Sequence, residues 1–493
     1  MSMGLPLLSL IVFTPAVAAA VLMFLRSDNA VRWTALCATL LDLALSIAML
    51  TSFDTTTHVM QFTETRPWVP ALGITYALGV DGISALFVFL TALLGSICVL
   101  ASWVAIDRKV KEFMVSLLVM QALMLGVFCA LDLFLFYVFW EAMLIPMYLI
   151  IGVWGGEGRV YAAFKFFLYT LAGSVLFLIG VIVLYFNGGE TFDILALTAQ
   201  DLPFRIQSWL FFSFLVAFAV KVPMVPLHTW LPDAHVQAPT AGSIILAGVL
   251  LKMGAYGFLR FSLPMLPEAS VYYSTLMLAL SALAIVYGGL LALAQDDLKK
   301  LVAYSSVSHM GFVTLGIFAL NLRGLEGGIL QMFNHGVTTG ALFLFVGLIY
   351  ERTHTRSMAD YGGLMKAAPV YTAFLALFTL SSMALPGTNS FVGELLVLSG
   401  GFAANLMVGA AAVLGALLGA AYLLGMYGKV ALGPASVNAR FKIRDVNARE
   451  MIAILPLALF VLWVGLYPKP FLGIIDASVK HLMVQVHGKG SGQ

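Results

Sequence analysis

Charge is what this sequence has least of. Of its 493 residues only 10% are Asp, Glu, Lys or Arg, while 61% are hydrophobic, a balance foreign to soluble globular domains. Long polar stretches are missing too, so no separate soluble domain is expected. Cys37, Cys98 and Cys129 lie within apolar runs without ligand-like spacing, which argues against a disulfide framework or a zinc site and casts them as small core residues. No CxxC, haem or flavin motif appears, so no cofactor is assigned to this chain. The net charge of +2 is spread over many loops, and no basic patch points to nucleic acid. Barrel strands are excluded because the ten-residue polar/apolar alternation they need is absent.

What is present is a succession of apolar runs of about 20 residues, the length at which a helix crosses a hydrocarbon core of roughly 30 Å. Hydropathy predicts an all-α polytopic membrane protein with about fourteen spans. They fall at 5–25, 31–52, 81–104, 113–130, 132–153, 164–186, 207–232, 240–262, 271–294, 301–320, 327–350, 370–402, 407–430 and 450–472. The first lacks a basic leading region and is followed by charges and another span, so it reads as a retained helix and not a cleaved signal. The longest polar connections are 53–80, 187–206 and 431–449.

Orientation follows from the basic residues. One set of loops carries Arg26, Arg32, Arg108, Lys109, Lys111, Arg159, Lys165, Lys299, Lys300, Arg352, Arg356, Lys366, Lys429, Arg440, Lys442, Arg444 and Arg449. The other carries Arg66, Arg205, Arg260, Arg323, Lys469, Lys480 and Lys489. The positive-inside rule places the first set in the cytoplasm, with both termini outside and the chain multi-pass in a bacterial inner membrane. Lys221 and Lys252 remain, each inside a span.

Two spans are interrupted, the seventh at KVPMVPLHTWLP and the twelfth at SSMALPGTNSFVGE. They stand five apart. Because five is odd, equivalent elements of two five-span repeats run in opposite directions, so the sequence predicts inverted repeats over 113–262 and 271–430. Three helices precede them in 1–112, and a cytoplasmic loop, span 14 and a short tail follow in 431–493. Paired broken helices of this kind point to a transport site near the midplane.

The spans also carry ionisable groups. Glu141 comes nine residues after Asp132, a candidate N-cap, and so lies about 13 Å into the membrane by helical rise. Lys252 lies about 18 Å deep, and His309 and His335 each about 12 Å. Glu394 follows the second break by a turn or two. Each charge at such depth costs at least about 2.5 kcal/mol and must face protein or water. Burial disfavours the charged form of such a group and an approaching opposite charge favours it, so its proton can be held or released as a partner moves. Glu141, Lys221, Lys252, His309, His335 and Glu394 are therefore candidate proton-relay groups. A structural Glu141–Lys221 pair and satisfied core histidines are the plainer accounts, but a passive role explains no string of six.

Pro223 and Pro226 lack N–H groups and crowd the carbonyls of Ala219 and Val222, which predicts free acceptors and local hydration beside Lys221. His228 and His235 flank the break, where helix capping or backbone bonding is expected. Asp42, deep in span 2, reads as a helix-contact or lipid-edge residue. Asp233, Asp296 and Asp297 lie at span ends and read as interfacial.

The segment 221–257, KVPMVPLHTWLPDAHVQAPTAGSIILAGVLLKMGAYG, with LVAYSSVSHMGF, QMFNHG and LPGTNSFVGE further on, resembles the antiporter-like membrane subunits of respiratory complex I. The resemblance covers spans 4 to 13. It implies one proton-translocating unit, with Glu141, Lys221, Lys252 and Glu394 at the family's positions on spans 5, 7, 8 and 12. It also implies that NADH, FMN, iron–sulfur clusters and quinone belong to other subunits of NADH:quinone oxidoreductase, and that the partners are sibling membrane subunits and lipid. Glu394, where siblings have lysine, and the short segment after span 14 point to one branch of that family. A subunit of a multisubunit Na⁺/H⁺ antiporter or of a hydrogenase-linked complex is the main alternative, and a non-conducting membrane scaffold is the one from another class.

Overall fold

The computed structural model describes residues 6–433 and 443–490. Two of the cations used to orient the chain, Arg440 and Lys442, lie outside them. Spans 1 to 6 are Leu7–Phe24, Asp28–Thr51, Ala85–Ala105, Val110–Cys129, Leu133–Trp154 and Arg159–Asn187. Span 7 is Phe204–Lys221 followed by the short helix Trp230–Gln237. Spans 8 to 11 are Thr240–Met265, Ser274–Leu293, Leu298–Phe318 and Leu322–Thr353. Span 12 is Pro369–Ser382 and Asn389–Ala404, and spans 13 and 14 are Leu406–Ala431 and Ala448–Leu466.

Local chemistry fixes where many of these begin. Asp132 accepts from the backbone N–H groups of Phe134 and Leu135 at 3.0 and 2.9 Å, the N-cap its position predicts. Asp297, Asn321 and Asn405 cap spans 10, 11 and 13 in the same way. Asn447 and Glu450 form a capping box at span 14. Each satisfies N–H groups that a helix start leaves unpaired.

Spans 8 and 11 are wholly buried, spans 3 and 10 nearly so, and spans 1, 2, 6, 13 and 14 present much of their surface outward. Polar and ionisable groups thus collect on the helices that lipid cannot reach, as the cost of exposing them requires. Spans 11 and 12 meet through glycines. A Cβ on Gly327 would stand 2.6 Å from Val397 N, and one on Gly400 would stand 2.6 Å from Gly324 Cα. Small residues permit this backbone approach.

Several expectations need correction. The connection 53–80 contains an antiparallel hairpin, Gln61–Val69 with Ile74–Val80, joined in register Thr65↔Ala77 and Arg66↔Tyr76. The connection 187–206 holds a short helix, Ile194–Ala199. The expected tail is a 22-residue helix, Lys469–Gly490, whose buried Phe471, Ile475, Val479, Leu482 and Val486 form an apolar stripe at helical spacing. Cys37 is exposed, not a core residue, while Cys98 and Cys129 are buried. Arg260 and Lys299, counted among loop cations, are buried.

Candidate functional site

Lys221 is the last residue of the first half of span 7 and is 1% exposed. Its ammonium lies 4.8 Å from the centre of the Trp140 ring and has no hydrogen-bond partner, so a cation–π contact supports its charge. Trp140 Nε1 donates to Ser174 Oγ at 3.0 Å. Glu141, next along span 5, is half-buried, bonds Ser174 and lies within electrostatic range of Lys221. Its Oε1 has no partner. The two groups face each other without closing an ion pair.

Of the two carbonyls expected to be freed, that of Ala219 is not left for water. Ala219 O accepts from Met224 N at 2.8 Å, and Val220 O accepts from Trp230 Nε1 at 2.8 Å. Beside Lys221 the break is closed by the protein's own donors, contrary to the free Ala219 acceptor expected there. Span 8 comes close: a Cβ on Gly254 would lie 2.8 Å from Phe218 O and 2.9 Å from Lys221 Cβ.

Lys252, fully buried, lies between two π-helical turns, Leu246–Leu250 and Phe258–Ser262, a deviation frequent at functional sites. Its Nζ donates to Ala247 O and lies 2.6 Å from His335 Nδ1. The His335 ring is 5.9 Å, centre to centre, from that of His309. His309 Nδ1 is 3.3 Å from Glu394 Oε1, and its Nε2 is 3.3 Å from Ser382 Oγ. Gln331 Nε2 donates to Glu394 Oε1 at 3.1 Å. Four of the six relay candidates thus form one file, in the order Lys252, His335, His309, Glu394. The glycine seam sets its far end, since Gly393 leaves 2.5 Å between its Cβ position and Gln331 Oε1.

The second break is tied to span 11. Asn334 Nδ2 donates to Asn389 O at 2.8 Å, and Asn389 Oδ1 accepts from Ser381 Oγ at 2.5 Å. Gly387, at φ 93°, supplies a left-handed turn within the break before Glu394.

His235 departs from the capping or backbone-bonding role expected of it. It is fully buried, stacked on Phe343 at 4.3 Å, and neither ring nitrogen has a partner, so it caps nothing. It lies within electrostatic range of Lys252 and Lys299. His228 does bond a backbone group, at Pro226. Lys299 Nζ donates to Ala238 O at 2.5 Å and lines a cavity of about 580 Å³ with Glu351, Arg352, Arg356 and Arg449 on the face rich in basic residues. Asp42 is fully buried and accepts from Gln121 Nε2 at 2.5 Å, a helix contact and not a lipid-edge residue. Asp233 pairs with Lys165 at 2.7 Å and Asp297 with Arg356 at 3.4 Å. Among the described residues no cluster of metal-ligating side chains occurs.

A helical bundle with two broken spans and a buried file of Lys, His and Glu is the architecture of antiporter-like membrane subunits. Residues 130–419 match the family model for the NADH:quinone oxidoreductase/Mrp antiporter membrane region. Subunit M of NADH-quinone oxidoreductase from Rhodobacter capsulatus is 50% identical, over 98% of this chain and 97% of its own length. A chain of respiratory complex I from Thermus thermophilus superposes with a TM-score of 0.87 at 34% identity, covering 96% of this chain and 99% of that one. The Mrp complex of a Dietzia species contains a chain with TM-score 0.85 at 20% identity, covering 98% of this chain and 100% of that one; this likeness is of fold alone. The chain belongs to the NADH:quinone oxidoreductase/Mrp antiporter family, as an antiporter-like, proton-translocating subunit of complex I of the subunit M kind.

Proposed function

We propose that Glu141, Lys221, Lys252, His335, His309 and Glu394 carry the proton through this subunit, coupled to electron transfer elsewhere in the complex. The observation that carries the reading is the file from Lys252 Nζ through His335 Nδ1 at 2.6 Å to His309, one ring interval of 5.9 Å away, and Glu394. Each group in it can both take and give a proton, and the interval between the two rings is one that a bridging water covers.

The proton is taken up from the cytoplasmic face, through the cavity at Lys299 and Glu351 and past His235, to Lys252. It then moves sideways to His335 and His309 and leaves from Glu394 to the outer side. Approach of Glu141 to Lys221 favours the charged lysine, and a charged Lys221 in turn repels the proton on Lys252. Withdrawal resets the pair. Spans 4–8 and 9–13 serve as the two inverted halves, and both termini face the periplasm. Driving one proton against 100 mV takes roughly 2.3 kcal/mol, supplied by redox chemistry at NADH, FMN, iron–sulfur and quinone sites in partner subunits. Sibling antiporter-like subunits and lipid cover the outward faces of the bundle.

The test is the proton-to-electron stoichiometry of the intact complex with Glu141→Gln or Lys252→Ala. Both are expected to lower it; unchanged stoichiometry in both removes the relay.

A further inference from the structure

Span 8 carries a second buried cation that the relay does not use. Arg260 sits about two turns beyond Lys252, in the π turn Phe258–Ser262. Its Nη2 reaches Asp81 Oδ1 at 2.5 Å, with the two side chains 10% and 5% exposed. Asp81 is itself fixed, accepting from Ile83 N and Ser84 N at 3.1 Å each. Arg260 Nε donates to the hydroxyl of Tyr256 at 3.1 Å. Tyr256 is buried one turn from Lys252, and its hydroxyl reaches Phe128 O at 3.4 Å. Beyond the pair lies a cavity of about 230 Å³ lined by Asp81, Arg260, His58, Ser478 and His481. From Lys252 outward the order is Tyr256, then Arg260 with Asp81, then this cavity.

Along span 8, Tyr256 and the Arg260–Asp81 pair lie between Lys252 and the outer cavity. A guanidinium does not give up its proton, so it cannot hand one on. A fixed positive charge in a narrow, low-dielectric passage also repels protons and other cations, as it does in water-selective pores. The pair is a dipole with its positive end bonded to Tyr256, on the Lys252 side.

We propose that Arg260, held by Asp81, seals the Lys252 pocket from the outer cavity, leaving His335 as the way out for a proton on Lys252. The proposal rests on the relay reading above. Arg260 touches none of the relay groups; it sets the direction of transfer by blocking the way along span 8. A purely structural ion pair would make Asp81 and Arg260 equally necessary, whereas a seal needs only the cation.

The experiment uses the intact complex in proteoliposomes and reads two quantities. One is the passive decay of an imposed pH difference without NADH, and the other is protons pumped per NADH. Arg260→Gln is expected to speed passive decay on the order of tenfold, the effect of removing a unit charge about 12 Å away by helical rise at an effective dielectric of about 20. Asp81→Asn, which keeps the guanidinium, is expected to stay within about twofold of the unsubstituted complex. Lys252→Ala added to Arg260→Gln should return the leak to background. Should glutamine at 260 prevent assembly, Arg260→His gives the same information: its leak should grow as pH rises through the histidine range, where the imidazole loses its charge. A tight Arg260→Gln complex, a flat pH profile for Arg260→His, or an Asp81→Asn complex as leaky as Arg260→Gln overturns the seal. The relay reading fails separately, if Lys252→Ala alone leaves protons per NADH unchanged.

Discussion

The two breaks in the bundle are built alike and finished differently. At the first, Lys221 Nζ and Glu141 Oε1 lack hydrogen-bond partners, and the ammonium rests on the face of Trp140. At the second, Glu394 is bonded by Gln331 and paired with His309, and Asn389 is bonded to Asn334 and Ser381. A buried polar group without its partner costs about 1–3 kcal/mol. At the second break Gln331 Oε1, Asn334 Oδ1 and His309 Nδ1 also lack hydrogen-bond partners, but its charged group accepts a hydrogen bond where Lys221 has none, so the charge at the first break gains more by rearranging. That is the division a coupled pump needs: one site whose geometry responds to an outside push, and one that passes the proton on in fixed geometry.

The contrast predicts an order of sensitivity. Glu141→Gln should do the most damage, because nothing else beside Lys221 bears a negative charge to set its protonation. Coupled proton transfer, read as NADH-driven acidification in vesicles, should fall about 100-fold, within the range for loss of an essential acid–base group. NADH oxidation with an artificial acceptor checks assembly. Lys252→Ala removes the head of the file and should cost about tenfold or more by the same assay. Glu394→Gln keeps the bond to Gln331 but cannot carry a proton, so it should cost about as much as Lys252→Ala, about tenfold. If Glu394→Gln proves worse than Glu141→Gln, the division between a movable and a fixed site is wrong. Trp140→Phe is the mildest. It removes the bond to Ser174, worth about 1 kcal/mol of stability in denaturation, but keeps an aromatic face under Lys221, so coupling should change less than twofold.

The sequence is legible where one helix suffices to make the point. Hydropathy and caps locate the spans, prolines and glycines locate both breaks, and Glu141, Lys221, Lys252, His309, His335 and Glu394 stand out because charge in a span is costly. What was hidden depends on contacts between helices. Nothing local says that His335 and not His309 meets Lys252, or that Trp230 comes back ten residues along the chain to bond Val220 O. Arg260 and Lys299 sit near span ends, where hydropathy assigns cations to loops, but the π turns and the neighbouring helices bury them. His235 looked like a capping residue because its partners, Lys252, Lys299 and Phe343, are distant in sequence. The hairpin 61–80 and the helix Lys469–Gly490 were passed over because half-apolar strands and amphipathic helices give weak signals beside membrane spans.

The most direct test of the central claim, that Lys252, His335, His309 and Glu394 are one path, is the coupled proton transfer of the double variant Lys252→Ala/Glu394→Gln. Steps in series on a single path do not multiply their losses, so the double variant should fall about tenfold, no further than Lys252→Ala alone. A loss of about 100-fold, the product of the two single effects, would mean that the two residues act on separate routes and would contradict the account.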